Sequence, residues 1–220
     1  MRLLDLFCCE GGAAMGYHRA GFEVVGVDIE PRPLYPFEFV QADWRRALDT
    51  SGDFDAIHAS PPCQAYTSMS NRWRGNGGKA DEYFRLIHEV RRELIKLGLP
   101  YVIENVTGAR ADMRNPILLS GGMFGLRVDR PRLFESNVLL LAPDRVRVHD
   151  PVGVYGGRPD GRLLWTRADG SEQRAASSLE VARDVMEMPW ASWRGCAEAI
   201  PPAYTEHIGR QLMAHLEEGS

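Results

Sequence analysis

Apolar residues along this chain fall into short runs, separated by segments in which they recur at every third or fourth position. RLLDLF (2–7), FEVVGVD (22–28), FEFVQAD (37–43), DAIHAS (55–60) and PYVIEN (100–105) read as strands. AAMGYHRAG (13–21) reads as a short helix ending at Gly21. ADEYFRLIHEVRRELIKLG (80–98) puts Phe84, Ile87, Val90, Leu94 and Leu97 on one helical face and stops at Gly98. Alternation of this kind predicts an α/β fold, a parallel sheet with helices on both faces. After Asn115 the pattern changes. PILLSGGMFGL and PRLFESNVLLL read as antiparallel strands around a Gly-Gly turn, and RPDGRLLWTRADGSEQR as a hairpin inserted outside the main sheet. SSLEVARDVMEM (177–188) predicts a serine-capped helix, and PAYTEHIGRQLMAHLEEG (202–219) a closing amphipathic one.

Composition narrows the class. At 220 residues, 44% hydrophobic and 25% charged, the chain fits one sizeable globular domain. No apolar stretch has the length to span a bilayer and no signal-peptide pattern opens the chain, so a cytoplasmic protein is expected. Cys8, Cys9, Cys63 and Cys196 form neither a metal-type pair nor a disulfide framework, and neither a metal nor a membrane is expected. The net charge of −4 argues against an indiscriminate nucleic-acid binder. Yet all but two of the 26 basic residues, Lys79 and Lys96, are arginines. Several cluster, as at Arg72 and Arg74 and at Arg158, Arg162 and Arg167 beside Trp165. Arginine suits phosphate and base recognition; genomic composition bias and a solvated hairpin are the plainer alternatives.

Candidate chemistry gathers at the predicted strand ends. Pro61 and Pro62 cannot enter a ladder or a helix, so the chain leaves the strand DAIHAS on a stiff track that displays Cys63; a cysteine buried in a loop is the alternative. Gly11-Gly12 lies between a strand and a helix, where exposed amides hold an anionic group closely; an empty tight turn reads equally simply. The spacing is not G-x-G-x-x-G, which disfavours a dinucleotide. Asp28 ends the second strand, where α/β nucleotide sites place a carboxylate on ribose. Glu104-Asn105 ends another strand; alone, Glu104 would be a solvated terminus. Together these groups occupy one edge of a parallel sheet.

DLFCCEGG, SPPCQ, ENV and RPRLF, in this order, resemble the ordered motifs of the DNA (cytosine-5)-methyltransferases. DEYFRLIHEVRREL, LLSGGMFGL, SSLEVARDVMEMP and AIPPAYTEHIG resemble that family's weaker motifs, so the likeness runs over nearly the whole chain. It implies a Rossmann-like methyltransferase fold, S-adenosylmethionine as cofactor, and DNA with its target cytosine flipped out as partner. Cys63 would be the nucleophile at C6, Glu104 would hold the N3/N4 edge, and Arg132 with Arg130 would lie near the base. Phe7, Gly11, Gly12 and Pro62 would surround the cofactor, Asp28 its ribose, Ile29 its adenine face and Asp43 its adenine amine. Pro61, Gln64, Asn105 and Val106 would support the site, Asn105 bracing the Pro-Cys loop. Arg72, Arg74, Arg158, Arg162 and Arg167 would reach nucleic acid.

The chain departs from the family pattern where Cys9 replaces a glycine, Val128 a glutamine and Glu198 a cofactor-binding asparagine. The expected division is a catalytic core over 1–136, a reduced target-recognition region over 137–176 and a C-terminal segment over 177–220 packing back on the core. Such compactness suggests a monomeric phage or mobile-element enzyme that protects its own DNA, in the setting of restriction–modification. An RNA (tRNA-type) cytosine-5 methyltransferase and a catalytically silent binding homologue are the alternative readings.

Overall fold

The computed structural model describes residues 1–49, 51–66, 85–156, 158–166, 168 and 170–219. Five strands run parallel: β1 (Arg2–Leu6), β2 (Glu23–Asp28), β3 (Glu38–Gln41), β4 (Ala56–Ala59) and β5 (Tyr101–Val106). β6 (Ile117–Leu119) and β7 (Arg132–Ser136) complete a seven-stranded sheet in the order β3-β2-β1-β4-β5-β7-β6, with β7 antiparallel to both neighbours. The chain builds outward from β1 to β3, then crosses back to β4. The strand order therefore reverses between β1 and β4, the place where open α/β sheets bind ligands.

Both faces of the central strands are buried, which is why they read as nearly continuous apolar runs. Leu4, Leu6, Val25, Ile57 and Ile103 face α2 (Trp44–Leu48) and α3 (Ile87–Leu97). Leu3, Val24, Ala56 and Val102 face α1 (Gly12–Arg19) and α6 (Pro202–Glu218). The α1–α6 contact is close: a Cβ on Gly16 would lie 2.1 Å from both Pro202 O and Thr205 Oγ1. Thr205 Oγ1 donates to Ala13 O at 2.8 Å, so the last helix is clamped over the first.

A three-stranded sheet stands apart: β8 (Val152–Gly153), β9 (Leu163–Thr166) and β10 (Glu172–Ala175), in the order β8-β10-β9. β9 and β10 form the expected antiparallel hairpin. Val154 and Ala176 beside it share a buried cluster with α4 (Leu179–Met186) and α5 (Trp193–Glu198), through Ala182, Val185, Met186 and Cys196. Ser178 caps α4, accepting from Val181 N at 3.3 Å.

Differences from the sequence reading are local. The helix expected over 80–98 runs from Ile87 to Leu97 among the described residues, and 80–84 lie outside them. The run PRLFESNVLLL is strand only over Arg132–Ser136, because Ser136 and Asn137 turn their side chains onto the backbone of 99–101 and end the ladder there. α2, α5 and β8 span at most six residues each, too few to show a period. No described helix is long and apolar enough to cross a membrane.

Candidate functional site

A cavity of about 340 Å³ opens at the carboxyl ends of β1, β2, β4 and β5. Phe7, Gly12, Asp28, Ile29, Pro61, Pro62, Cys63, Gln64, Glu104, Val106 and Arg132, all expected at the site, line it. Residues some hundred positions apart therefore share one wall, because parallel strands deliver their ends to the same edge.

The loop after β1 is tightly wound. Phe7 and Cys9 have φ of 61° and 49°, and Gly11, the N-cap of α1, has φ of 82°. This winding turns the amide of Cys9 onto Asp28, whose Oδ2 accepts it at 3.1 Å. Asp28 Oδ1 accepts from Glu30 N at 3.0 Å, and Arg32 approaches both oxygens at 3.1 and 3.2 Å. Ile29 stays 69% exposed at the cavity wall, an apolar face available to a flat ring.

The loop after β4 presents Cys63. Asn105 Nδ2 donates to Pro61 O at 2.8 Å and Asn105 Oδ1 accepts from Val106 N at 3.0 Å, tying the proline turn to the end of β5. Arg132 Nε stands 3.1 Å from Glu104 Oε1. Burial pushes the Glu104 carboxyl above the usual range, opposed by the Arg132 guanidinium and by a hydrogen bond from Ser60. Burial and the Glu104 charge push the Cys63 thiol up, while Arg132 and Arg130 draw it down. Thiol and carboxyl thus share one electrostatic environment in which one cation is nearest.

Three expectations meet a different geometry. Arg130 is fully buried and does not line the cavity. It donates to the backbone carbonyls of Ala197, Val154 (3.0 Å) and Ala199 (2.6 Å), and burial lowers it to about 10. It staples the residue after β8 to the end of α5 and the residue that follows it. Asp43 caps α2, accepting from Arg45 N at 2.9 Å, and is not in the cavity wall. Gly11 shapes the loop rather than lining the cavity. Arg158 and Arg162, expected to reach nucleic acid, are exposed and do not line the cavity, with Arg162 paired to Asp160 at 3.5 Å. Arg72, Arg74 and Arg167 lie outside the described residues.

The cavity also holds residues the sequence did not single out. Arg32 and Arg194 both lean on Glu30, and Arg194 Nε donates to Glu198 Oε1 at 2.8 Å. The signal for Arg32 was its position four residues after Asp28, and for Arg194 four before Glu198. Asp5 also reaches the cavity. It is fully buried, neither carboxylate oxygen has a hydrogen-bond partner among the described residues, and burial beside Asp28 and Glu104 raises it well above the usual range. Nothing in RLLDLF distinguishes it from a strand residue turned to solvent.

Glu10 connects this loop to the C-terminal segment. Its carboxylate accepts from Ser192 N at 2.7 Å and Ser192 Oγ at 2.6 Å, and its carbonyl from Trp190 Nε1 at 2.7 Å. Among the described residues no cluster of histidine, cysteine and carboxylate side chains is arranged to hold a metal ion.

No family model matches the chain. In sequence it is 28% identical over 123 residues to the Type II methyltransferase M.XorII of Xanthomonas oryzae pv. oryzae, covering 48% of this chain and 28% of that protein. It is 28% identical over 120 residues to the Type II methyltransferase M.FnuDI of Fusobacterium nucleatum, covering 49% and 33%. The matched part thus spans about a third or less of these relatives. In structure it superimposes on a prophage-encoded DNA modification methyltransferase of E. coli, with a TM-score of 0.64, 17% identity and 99% of both chains covered. It also superimposes on Spodoptera frugiperda DNMT2, with a TM-score of 0.57, 12% identity and 96% and 99% covered. The fold is the Rossmann-like fold of these methyltransferases, and the sequence relatives are Type II methyltransferases.

Proposed function

We propose that this chain transfers a methyl group from S-adenosylmethionine to C5 of cytosine in DNA, through a covalent bond between Cys63 and C6. The observation that carries the reading is the convergence of Cys63, Glu104 and Arg132 on the cavity that also contains Gly12, Asp28 and Ile29. A thiol beside an acid suits addition to an electron-poor ring, and a glycine turn beside a strand-end carboxylate suits a nucleoside.

The residues present fit the cofactor. The amide-rich turn over Gly11 and Gly12 and the unpartnered Asp5 carboxyl suit its charged methionine end, Asp28 its ribose and Ile29 its adenine. Bound there, it supplies an electrophilic methyl on a sulfonium, which cytosine C5 becomes able to accept only after C6 has been attacked.

The chain's own residues make that attack feasible. The Cys63 thiolate forms the S–C6 bond, and the ring electrons displaced toward N3 take up the proton that Glu104 carries. Burial raises the Glu104 carboxyl above the usual carboxylate range, which makes it a readier proton donor than an exposed glutamate. Arg132 orients Glu104 and favours thiolate at Cys63. After transfer the C5 proton leaves to a base, the S–C6 bond breaks, the N3 proton returns to Glu104, and the aromatic ring and the thiolate are restored. Asn105 holds the Pro61 carbonyl, and with it the loop that aims the thiol.

Residues 137–176, with exposed Trp165, Arg158 and Arg162, are proposed as the target-recognition region, and 1–136 and 177–220 as the core that it serves. A cytoplasmic monomer that protects mobile DNA is the proposed setting.

The test is methyl transfer from labelled S-adenosylmethionine to duplex DNA, single-stranded DNA and tRNA in parallel, with duplex DNA containing 5-fluorocytosine as a trap. Transfer to DNA and a denaturant-resistant adduct that Cys63→Ala abolishes are expected. Transfer only to tRNA would reassign the substrate, and no transfer to any of the three would overturn the reading.

A further inference from the structure

Beneath the cavity, on the sheet face covered by α1, a line of polar side chains leads to Glu104. Tyr17 Oη on α1 lies 3.0 Å from His58 Nδ1 on β4, and His58 Nε2 lies 2.9 Å from Ser60 Oγ. The β4–β5 register, with Ala59 opposite Ile103, carries Ser60 beside Glu104 where both line the cavity, and the Ser60 hydroxyl acts there as a donor that holds the carboxyl down. The period of two along a strand puts His58 and Ser60 on one face. Tyr17 and His58 are wholly buried.

The chemistry of imidazole gives this chain a direction. Burial lowers His58 to about 3, so the ring is neutral, with one N–H donor and one bare acceptor. With Tyr17 donating to Nδ1, the ring proton sits on Nε2 and points at Ser60 Oγ. The Ser60 hydroxyl proton is then left for Glu104. In the reverse order Nδ1–H points at the tyrosine oxygen, and Nε2 takes the Ser60 proton away from Glu104. The buried Tyr17 hydroxyl proton would then have no acceptor among the described residues, a loss of about 1–3 kcal/mol for an unsatisfied buried group.

We infer that Tyr17, acting through His58 and Ser60, is a positioning residue that holds the Ser60 hydroxyl on Glu104 and so governs how readily the carboxyl facing Cys63 carries its proton. The use of this chain in catalysis rests on the role proposed above for Glu104; the chain's effect on the carboxyl does not. Glu104 also faces Arg132 and Arg130 from β7 and the turn before it, Cys63 from the loop after β4, Asp5 from β1 and Tyr17 from α1. Tyr17→Phe and Ser60→Ala alter none of these charges.

The experiment is an NMR titration of the Glu104 side-chain carboxyl, assigned with Glu104→Gln, together with the ring nitrogens of His58. It is run on the full chain as wild type, Tyr17→Phe, Ser60→Ala and the double variant. Wild-type His58 is expected as the Nε2–H tautomer, and the Nδ1–H tautomer there overturns the inference even if a variant fails to fold. Ser60→Ala is expected to raise the Glu104 midpoint by about one pH unit, the tenfold effect of losing one donor to a carboxylate. Tyr17→Phe should raise it in the same direction, and the double variant should match Ser60→Ala alone. An unmoved midpoint in Tyr17→Phe, or additive shifts in the double variant, overturns the inference. Wild-type methyl transfer, measured on the same samples, reports separately on the proposed reaction. Where it is present, the alkaline limb of the rate profile should move up in both single variants.

Discussion

Cys9 and Glu198 stand 189 positions apart in sequence and touch at the cavity wall, the thiol donating to Glu198 Oε2 at 3.5 Å. Both are places where the chain departs from the pattern of the motifs it resembles, and in space the two departures are one contact. Cys9 sits at φ of 49°, where a glycine is comfortable and a side chain costs about 1–2 kcal/mol. Glu198 keeps its other oxygen on Arg194. Changing either position alone removes or alters that one contact, while Glu198 retains Arg194. Cys9→Gly and Glu198→Asn should therefore be coupled in cofactor affinity by about 0.5 kcal/mol or more, as for groups in direct contact. A calorimetric double-mutant cycle that adds within about 0.3 kcal/mol would separate them.

Asp28 carries more than a ribose site requires. Its oxygens take the Cys9 and Glu30 amides and the Arg32 guanidinium, all from the loops that frame the cavity. Asp28→Ala should weaken S-adenosylmethionine binding about tenfold to a hundredfold, the worth of a charged hydrogen bond, and should also destabilise the fold by about 1–3 kcal/mol. The sequence alone points to the first effect with little change in stability; the Cys9, Glu30 and Arg32 partners add the second. Calorimetry and urea unfolding on one preparation check both, and unchanged affinity would remove Asp28 from the cofactor site.

What the sequence disclosed follows from where the physics is local. The five parallel strands and the Pro61-Pro62-Cys63 turn were legible because apolar runs and prolines act on their own neighbours. The fate of Arg130 was not: RPRLF offers two arginines two residues apart, and only the packing of the segment after α5 turns one of them onto three carbonyls. Asp43 likewise reads as a strand-end carboxylate until the five-residue helix it caps is seen. The line from Tyr17 to Glu104 joins α1, β4 and β5, so no window of sequence contains it.

The pairing of Cys63 with Glu104 can be tested without substrate. Burial and, after it, the Glu104 charge raise the thiol, which lowers the thiolate fraction at a given pH. Glu104→Gln removes the charge, so the thiol should ionise at lower pH and Cys63 should alkylate faster. An acceleration of about threefold to tenfold at pH 7.5 is expected for loss of one nearby like charge. Iodoacetamide kinetics read by mass spectrometry, with Cys63→Ser as the blank, measure it. A slower rate in the glutamine variant would reverse the assigned sign.

Stability should hinge on a pair outside the site. Arg91 on α3 meets Glu135 on β7 through two hydrogen bonds of 2.5 and 2.6 Å, and both side chains are buried. Arg91 Nη2 also donates to Asp112 O and Arg114 N donates to Glu135, so the pair gathers the crossover between β5 and β6. Removing one member strands a buried charge, at a cost of about 3–5 kcal/mol. Arg91→Met should therefore lower the unfolding free energy by that amount, and Arg91→Met with Glu135→Leu should recover most of it. A double variant no better than the single one would show that the pair's hydrogen bonds to the backbone, not the stranded charge, dominate.

Specificity gives the last prediction, which depends on DNA being the substrate. Turning a base out of a duplex costs a few kcal/mol, and groove contacts must supply it. Each well-made base contact contributes only about 1–3 kcal/mol of discrimination. The small sheet has three short strands, of which β9 offers exposed Leu163 and Trp165, with Tyr155 6.5 Å from the Trp165 ring and Arg158 and Arg162 nearby in sequence. Such a surface can set an aromatic wedge and a few base contacts. The recognised site should therefore be short, about two to four base pairs on that energetic scale, or the enzyme should favour single-stranded or distorted DNA. Bisulfite sequencing of DNA from cells expressing the chain reads the site directly. Trp165→Ala should reduce methylation of duplex more than of single-stranded substrate, since only the duplex requires the wedge. A strict site of six or more base pairs would mean that a larger surface, or a partner, does the reading.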